Sequence, residues 1–305
     1  MTNYIRIPKI PVKIFLKKIK NHKFENVALI NIIERFLIKK RGFIFKMPRA
    51  GSNVAVSFSG GLDSTVLLAL LLRKYKFNIY PFYIADQPRS KIEIRRANKI
   101  IKYFQKKYGV QIKPLVCYSN NTVGRWAYRN TELDFTNRPL VNTIIDLRQQ
   151  FSLLHSQYVF QVYKVIVTTM FCGIQFHDGN FNPAQTMTGL RTTLFNMCVK
   201  TNRYDWQFAS LFLEKELGYM CEKVDLIKIG TKMQIPFELT WSCFRSGLFH
   251  CGKCGNCYVR KESFYKAGIP DKTIYGSLSE VLKLGLMNTL GLFKRYLKKS
   301  VITLK

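Results

Sequence analysis

The stretch "NVAVSFSGGLDSTVLLALLLRKY", residues 53–75, sets a β-branched apolar run against a longer leucine-rich run, with Ser59, Gly60, Gly61, Leu62, Asp63 and Ser64 between them. The first run reads as a buried strand and the second as a helix from Asp63 onward. Two glycines at the turn lack Cβ, so backbone N–H groups can face an anion there. The positive end of the helix dipole adds to the effect, and the pocket suits a pyrophosphate. Ser59 and Ser64 offer hydroxyl donors. Asp63 is costly beside phosphate unless it holds Mg²⁺ or caps the helix. A Walker A loop is excluded because no Gly-Lys-Ser/Thr closes the turn, and the Gly-x-Gly-x-x-Gly spacing of a dinucleotide site is absent.

Working outward, "FNIYPFYIA" (77–85) reads as a strand, 91–109 as a helix ended by Gly109, and 110–118 as a strand. A helix over 140–160 and a buried strand over 162–171 continue the alternation. Strands alternating with helices of this length imply right-handed βαβ units and a doubly wound parallel α/β sheet. Residues 172–189 read as loop, 190–218 as one helix or two, 223–235 as a helix, and 279–299 as a closing basic amphipathic helix. The expected division is a basic N-terminal extension (1–50), an α/β domain carrying the phosphate-type loop (51–222) and a C-terminal helical region (223–305).

A chain of 305 residues with 47% hydrophobic content can bury a sizeable core. Forty-nine Lys and Arg against eighteen Asp and Glu give a formal charge of +31. That surface suits nucleic acid or other polyanions, although a lysine-biased composition alone explains it equally well. The helical pattern over 25–42 fits an RNA-facing or partner-facing appendage, or, more simply, a solvated cap. No run reaches the roughly 18 apolar residues of a membrane span, and prolines and lysines interrupt the N-terminus where a signal peptide would be continuous. A cytoplasmic protein without membrane contact is expected.

Four of the eight cysteines, Cys243, Cys251, Cys254 and Cys257, fall within fifteen positions as C-x7-C-x2-C-x2-C. Such spacing closes a tetrahedral zinc site at about 2.3 Å per bond, a structural site with no open position. Cys117, Cys172, Cys198 and Cys221 lie in apolar runs and read as buried, and His250 is not needed to complete the set.

A strand, "SGGLDS" and a helix together resemble the PP-loop ATP pyrophosphatase superfamily, with its adenine nucleotide alpha-hydrolase-like fold. "KVDLIKIG" (223–230), "ELTWSCF" (238–244) and "CGKCGNCYVRKESFYKAGIPD" (251–271) narrow the resemblance to the 7-cyano-7-deazaguanine synthase (QueC) family, over about residues 53–275. The resemblance implies that Ser59, Gly60, Gly61, Leu62, Asp63 and Ser64 cradle ATP with Mg²⁺, and that the four cysteines hold Zn²⁺. It implies catalytic roles for Asp63, Lys223 and Arg89, with Gln87 beside Arg89 and Glu93 one place late. Arg260 resembles a family residue just past the last zinc ligand, where it could equally screen the thiolates. The family is often a homodimer.

Three segments depart from the family. Its Pro-Gly-Arg-Asn element appears only as "FTNRPL" (135–140), its Tyr-Pro-Asp-Cys-Arg loop is replaced by "CGIQFHDGNF" (172–181), and residues 1–50 have no counterpart. His177 and Asp178 fit either the substrate pocket or an ordinary loop. The resemblance implies adenylation of the carboxylate of 7-carboxy-7-deazaguanine, with ammonia giving first the amide and then the nitrile. Two alternatives stay open: transfer of an activated deazaguanine acid or other carboxylate to a macromolecular amine, and a PP-loop tRNA-modifying or RNA-binding protein.

Overall fold

The computed structural model describes residues 5–85, 89–110, 112–119, 148–180 and 182–276. Side chains that alternate along the strands decide the layers. In β1 (Asn53–Ser57), Val54 and Val56 enter one core cluster and Ala55 the other. The same split separates Phe171 from Met170 and Cys172 in β4 (Thr169–Cys172), and Ala209 from Phe208 in β5 (Gln207–Ser210). A sheet apolar on both faces must be covered on both. Helices α3 (Leu62–Arg73), α4 (Ser90–Tyr108), α7 (Lys223–Lys232) and α8 (Gly255–Ala267) feed the first cluster. The second takes α1 (Val12–Lys20), α2 (Val27–Arg41), α5 (Arg148–Tyr163) and α6 (Met187–Thr201).

With β2 (Asn78–Ile84), β3 (Val116–Tyr118), β6 (Leu213–Glu214) and β7 (Tyr219–Met220), the sheet order is β3-β2-β1-β4-β5-β6-β7. The first five strands run parallel and the last two close one edge antiparallel. From β1 the chain winds outward to β2 and β3, then returns to β4 on the other side of β1. The segment leaving β1 therefore lies at a topological switch point, where open α/β sheets hold their ligands. Ten of the twelve residues of α3 are buried, as its apolar circumference demands.

Four expectations need correction, and one is Cys117, which is exposed and not buried. Residues 207–210 form a strand, not helix, because Asn202 takes a left-handed φ of +49° and ends α6. Helix α5 runs to Tyr163, so the fourth strand begins at Thr169. Only Val116–Tyr118 forms the third strand, with Ile112 bridging Ile79 upstream. Gln87, "FTNRPL", the start of the helix expected from 140 and the expected closing helix 279–299 lie outside the described residues. Among the described residues no helix is long and apolar enough to cross a membrane.

Residues 5–50 pack onto the sheet. Phe15, Ile19, Ile30, Ile33 and Leu37 are core residues, and Lys9 bridges Tyr219 at the sheet edge. Glu34 in α2 is buried because Arg191 of α6 reaches it at 3.0 Å, and the same guanidinium makes paired bonds of 2.7 and 3.0 Å to Glu214 of β6. Lys215 also pairs with Glu34. Burial works against the charge on Arg191, and the two carboxylates outweigh it, raising its affinity for a proton.

Candidate active site and metal centre

Gly60 carries the turn after β1. Its φ of +71° suits only glycine without strain, and a Cβ would meet the backbone nitrogen of Ala97 in α4 at 2.6 Å. Its carbonyl accepts the Trp241 N–H at 3.0 Å. Gly61 is the N-cap of α3, extended at φ −73° and ψ 168°. The Gly61 carbonyl accepts from Thr65 N–H at 3.0 Å, Thr65 Oγ1 at 2.7 Å and Ser64 Oγ at 3.2 Å. Ser59 Oγ accepts the Gly61 N–H at 3.3 Å and lies 3.3 Å from Ser64 Oγ. The loop is thus built from its own hydroxyls and carbonyls. Gly173, just past β4, lets that strand end approach α3, since a Cβ there would lie 3.0 Å from Ser64 N.

Asp63 sits in the first turn of α3, where the helix dipole favours an anion. One oxygen, Oδ2, pairs with Lys223 Nζ at 3.2 Å. The other, Oδ1, is buried without a hydrogen-bond partner. Lys223 is the first residue of α7, where the dipole disfavours a cation. Burial also acts to lower its pKa, and the carboxylates of Asp63 and Asp178 outweigh burial to raise it. Asp178 belongs to a 3₁₀ turn, Phe176–Asn180, in the segment after β4. Its carboxylate accepts from Gln175 N–H at 3.0 Å and Gln175 Nε2 at 2.8 Å. Burial first, and then Asp63, push its pKa up to about 6 against the pull of Lys223. Asp63, Lys223 and Asp178 therefore form one electrostatic unit at the mouth of the loop.

Arg89 is engaged elsewhere. Its Nε donates to Glu93 at 2.8 Å, and its guanidinium lies 5.0 Å from the centre of the Phe244 ring. Tyr83 donates its hydroxyl hydrogen to the other Glu93 oxygen, and its oxygen lies 3.2 Å from Ser90 Oγ. The one-place offset of Glu93 thus puts it one helical turn from Arg89 as its partner. His177 is exposed, whereas Asp178 stands against Lys223 and Asp63. The signal for Asp178 was a carboxylate a few residues past a buried parallel strand, beyond its C-terminal end.

The four cysteine sulfurs lie within 4.8 Å of one another. Cys243 and Cys254 are 3.8 Å apart, and Cys251 and Cys257 are 3.9 Å apart. A tetrahedral ion with bonds of about 2.3 Å needs sulfurs about 3.8 Å apart, so the set fits such an ion. Cys254 is the N-cap of α8 and Cys257 lies in its first turn, where thiolates are favoured. Backbone N–H groups of Arg245 and Cys251 donate to Cys243 Sγ at 3.3 and 3.4 Å. Burial raises the Cys257 thiol. His250 Nε2 accepts the Ser242 N–H at 3.0 Å and its ring packs 4.4 Å from Trp241; burial and then Arg260 push its pKa down to about 3, so it packs as a neutral ring.

Arg260 is 1% exposed and donates to Thr240 Oγ1 at 2.8 Å, Ser242 Oγ at 3.1 Å, Phe237 O at 2.9 Å and Asp271 at 3.2 Å. It stitches the segment before Cys243 to α8. Because Trp241 N–H binds Gly60 O, the cysteine centre is mechanically tied to the loop. That link had no sequence signal.

The family model for Queuosine biosynthesis protein QueC matches residues 53–268, more than half of the chain. Among curated proteins, the 7-cyano-7-deazaguanine synthase of Porphyromonas gingivalis is 51% identical over 53 residues, 17% of this chain and 24% of that protein. The synthase of Paracoccus denitrificans is 49% identical over 53 residues, 17% and 23%. The matched region thus spans about a quarter of the length of these relatives. Among solved structures, the U34-tRNA thiolase NcsA from Methanococcus maripaludis aligns with a TM-score of 0.37 and 15% identity, covering 89% of this chain and 90% of that one. By the family match over its α/β core and cysteine segment, the chain belongs to the QueC family of queuosine biosynthesis proteins.

Proposed function

We propose that this protein is an ATP-dependent ligase that converts 7-carboxy-7-deazaguanine and ammonia to 7-cyano-7-deazaguanine. The observation that carries the reading is the Lys223–Asp63 pair at 3.2 Å on the first turn of the SGGLDS helix, with Asp63 Oδ1 buried and unpartnered. A carboxylate oxygen of the acid attacks the α-phosphorus of ATP and pyrophosphate leaves. Ammonia adds to the acyl carbon, loses a proton, and AMP departs to give the amide. The amide oxygen attacks the α-phosphorus of a second ATP, pyrophosphate leaves, and the nitrogen gives up both of its protons as AMP departs to leave the nitrile.

The chain's residues supply binding and charge. The turn through Gly60 and the N-terminal end of α3 supply the positive dipole for the phosphates, and the Lys223 ammonium stabilises charge on the departing pyrophosphate. Asp63 Oδ1 is the atom that would hold Mg²⁺, whose charge would offset the phosphates. Arg89 is held by Glu93 and spends its charge on that carboxylate. Asp178 accepts the proton released as ammonia adds. The four cysteines would hold Zn²⁺, whose binding would brace the segment that carries the Trp241–Gly60 bond.

Purified protein incubated with ATP, Mg²⁺, ammonium and 7-carboxy-7-deazaguanine is expected to release AMP and a product of nitrile mass, both lost in Asp63→Ala. AMP without nitrile would move the acceptor to another amine. No AMP under any of these conditions would remove the reading.

A further inference from the structure

The QueC match begins at residue 53, yet the segment before it touches two of the three site residues' supports. His22, just past α1, packs its ring 5.4 Å from Phe176 in an edge-on arrangement. Its Nδ1 accepts the Phe24 N–H at 3.3 Å, which fixes the ring and leaves Nε2 buried with no partner. The ring fills the space over Gly179: a Cβ there would lie 3.1 Å from His22 Cε1 and 3.2 Å from Nε2. Gly179 is the residue after Asp178.

The same segment reaches the start of α7. Lys18 Nζ pairs with Glu222 at 3.6 Å, directly before Lys223, and also lies 5.7 Å from the centre of the Phe176 ring. Phe176 N–H donates to Cys221 O at 3.3 Å, joining the Asp178 turn to that same helix start. Behind His22, Glu25 anchors the segment by accepting from Met187 N–H at 2.7 Å and Thr188 N–H at 2.8 Å at the start of α6. The anchor is strong because it combines a charge-assisted pair of bonds with the helix dipole. Lys18–Glu222 is partly exposed and adds little.

We infer that His22 is a positioning residue of the candidate site: its ring, fixed by the Phe24 N–H on a segment that Glu25 anchors to α6, presses the Phe176–Asn180 turn against α7, so that Asp178 meets Lys223 and Asp63. This inference rests on the reading of that site given above. A displaced carboxylate about 1 Å out of place is enough to cost a large factor in turnover while ATP binding, built by the Ser59–Ser64 loop, stays intact.

The test compares the full-length chain with His22→Ala and with Ile33→Ala, a core truncation in α2 away from the turn. Amide hydrogen exchange is expected to speed at least tenfold in peptides covering 174–180 and 221–225 in His22→Ala, and not in Ile33→Ala. In AMP-release assays His22→Ala is expected to lower kcat about tenfold with the KM for ATP within twofold. A merely structural role would lower the melting temperature of both variants and leave that split absent. Unchanged exchange over 174–180 in His22→Ala would overturn the inference. If the unmodified chain forms no AMP, the ligase reading fails while the exchange comparison still decides the positioning.

Discussion

Lys223 and Asp178 both sit where local physics opposes them, and each disagreement yields a prediction. A cation at the first position of α7 is held only by the two carboxylates facing it. Lys223→Met is expected to lower AMP release by about a hundredfold or more, the usual loss when one preorganised charge is removed from a developing anion. Initial rates of AMP release check it, and a loss below about threefold would place the charge elsewhere. Asp178 has a folded-state pKa of about 6, above the unfolded value of about 3.9. A raised carboxyl contributes stability fully below the unfolded pKa and loses it as pH rises through the folded one. Asp178→Asn, which cannot ionise, is therefore expected to be more stable than the native chain above pH 6, by up to about 3 kcal/mol, with the gap closing towards pH 4. Urea unfolding at pH 4.5 and pH 8 reads the sign, and an equal or lower stability at pH 8 would sink the assignment.

Elements differ in how much of them the sequence disclosed. The strand and helix of 53–75 were legible because a run apolar on every side has one resting place, between a sheet and its covering layers. The C-x7-C-x2-C-x2-C run was legible because thiolates at turns converge on little else. By contrast "QFAS" reads the same in a helix as in a strand, since four residues carry no period. Burial of Glu34 was invisible because its partner Arg191 lies 157 positions away. The cysteine centre makes the element-scale prediction. Cys257→Ser is expected to lose about one equivalent of bound metal and, through Trp241 and Gly60, to weaken ATP binding several-fold along with a lower melting temperature. Metal analysis with calorimetry of ATP binding checks both, and undiminished ATP affinity in a metal-free variant would sever the link. Arg191→Met should cost about 3–5 kcal/mol, because it leaves Glu34 and Glu214 buried without their common cation.

For the whole molecule the governing quantity is charge. Forty-nine cationic side chains face eighteen anionic ones, so most surface cations have no carboxylate to meet and the folded chain repels itself. Attraction within pairs such as Arg203–Asp205 is also weakened by salt, but such exposed pairs are worth little each. The repulsion is long-ranged and summed over the surface, whereas the Debye length falls from about 30 Å at 0.01 M salt to about 8 Å at 0.15 M. Screening should therefore remove more repulsion than attraction, and the melting temperature is expected to rise by several degrees between about 0.01 M and 0.15 M sodium chloride. Repeating the scan with sulfate at equal ionic strength separates general screening from specific anion binding, which would lift the curve further at the phosphate-type loop. A melting temperature that falls with added chloride would mean that the described ion pairs, and not the cation excess, dominate the electrostatics of the fold.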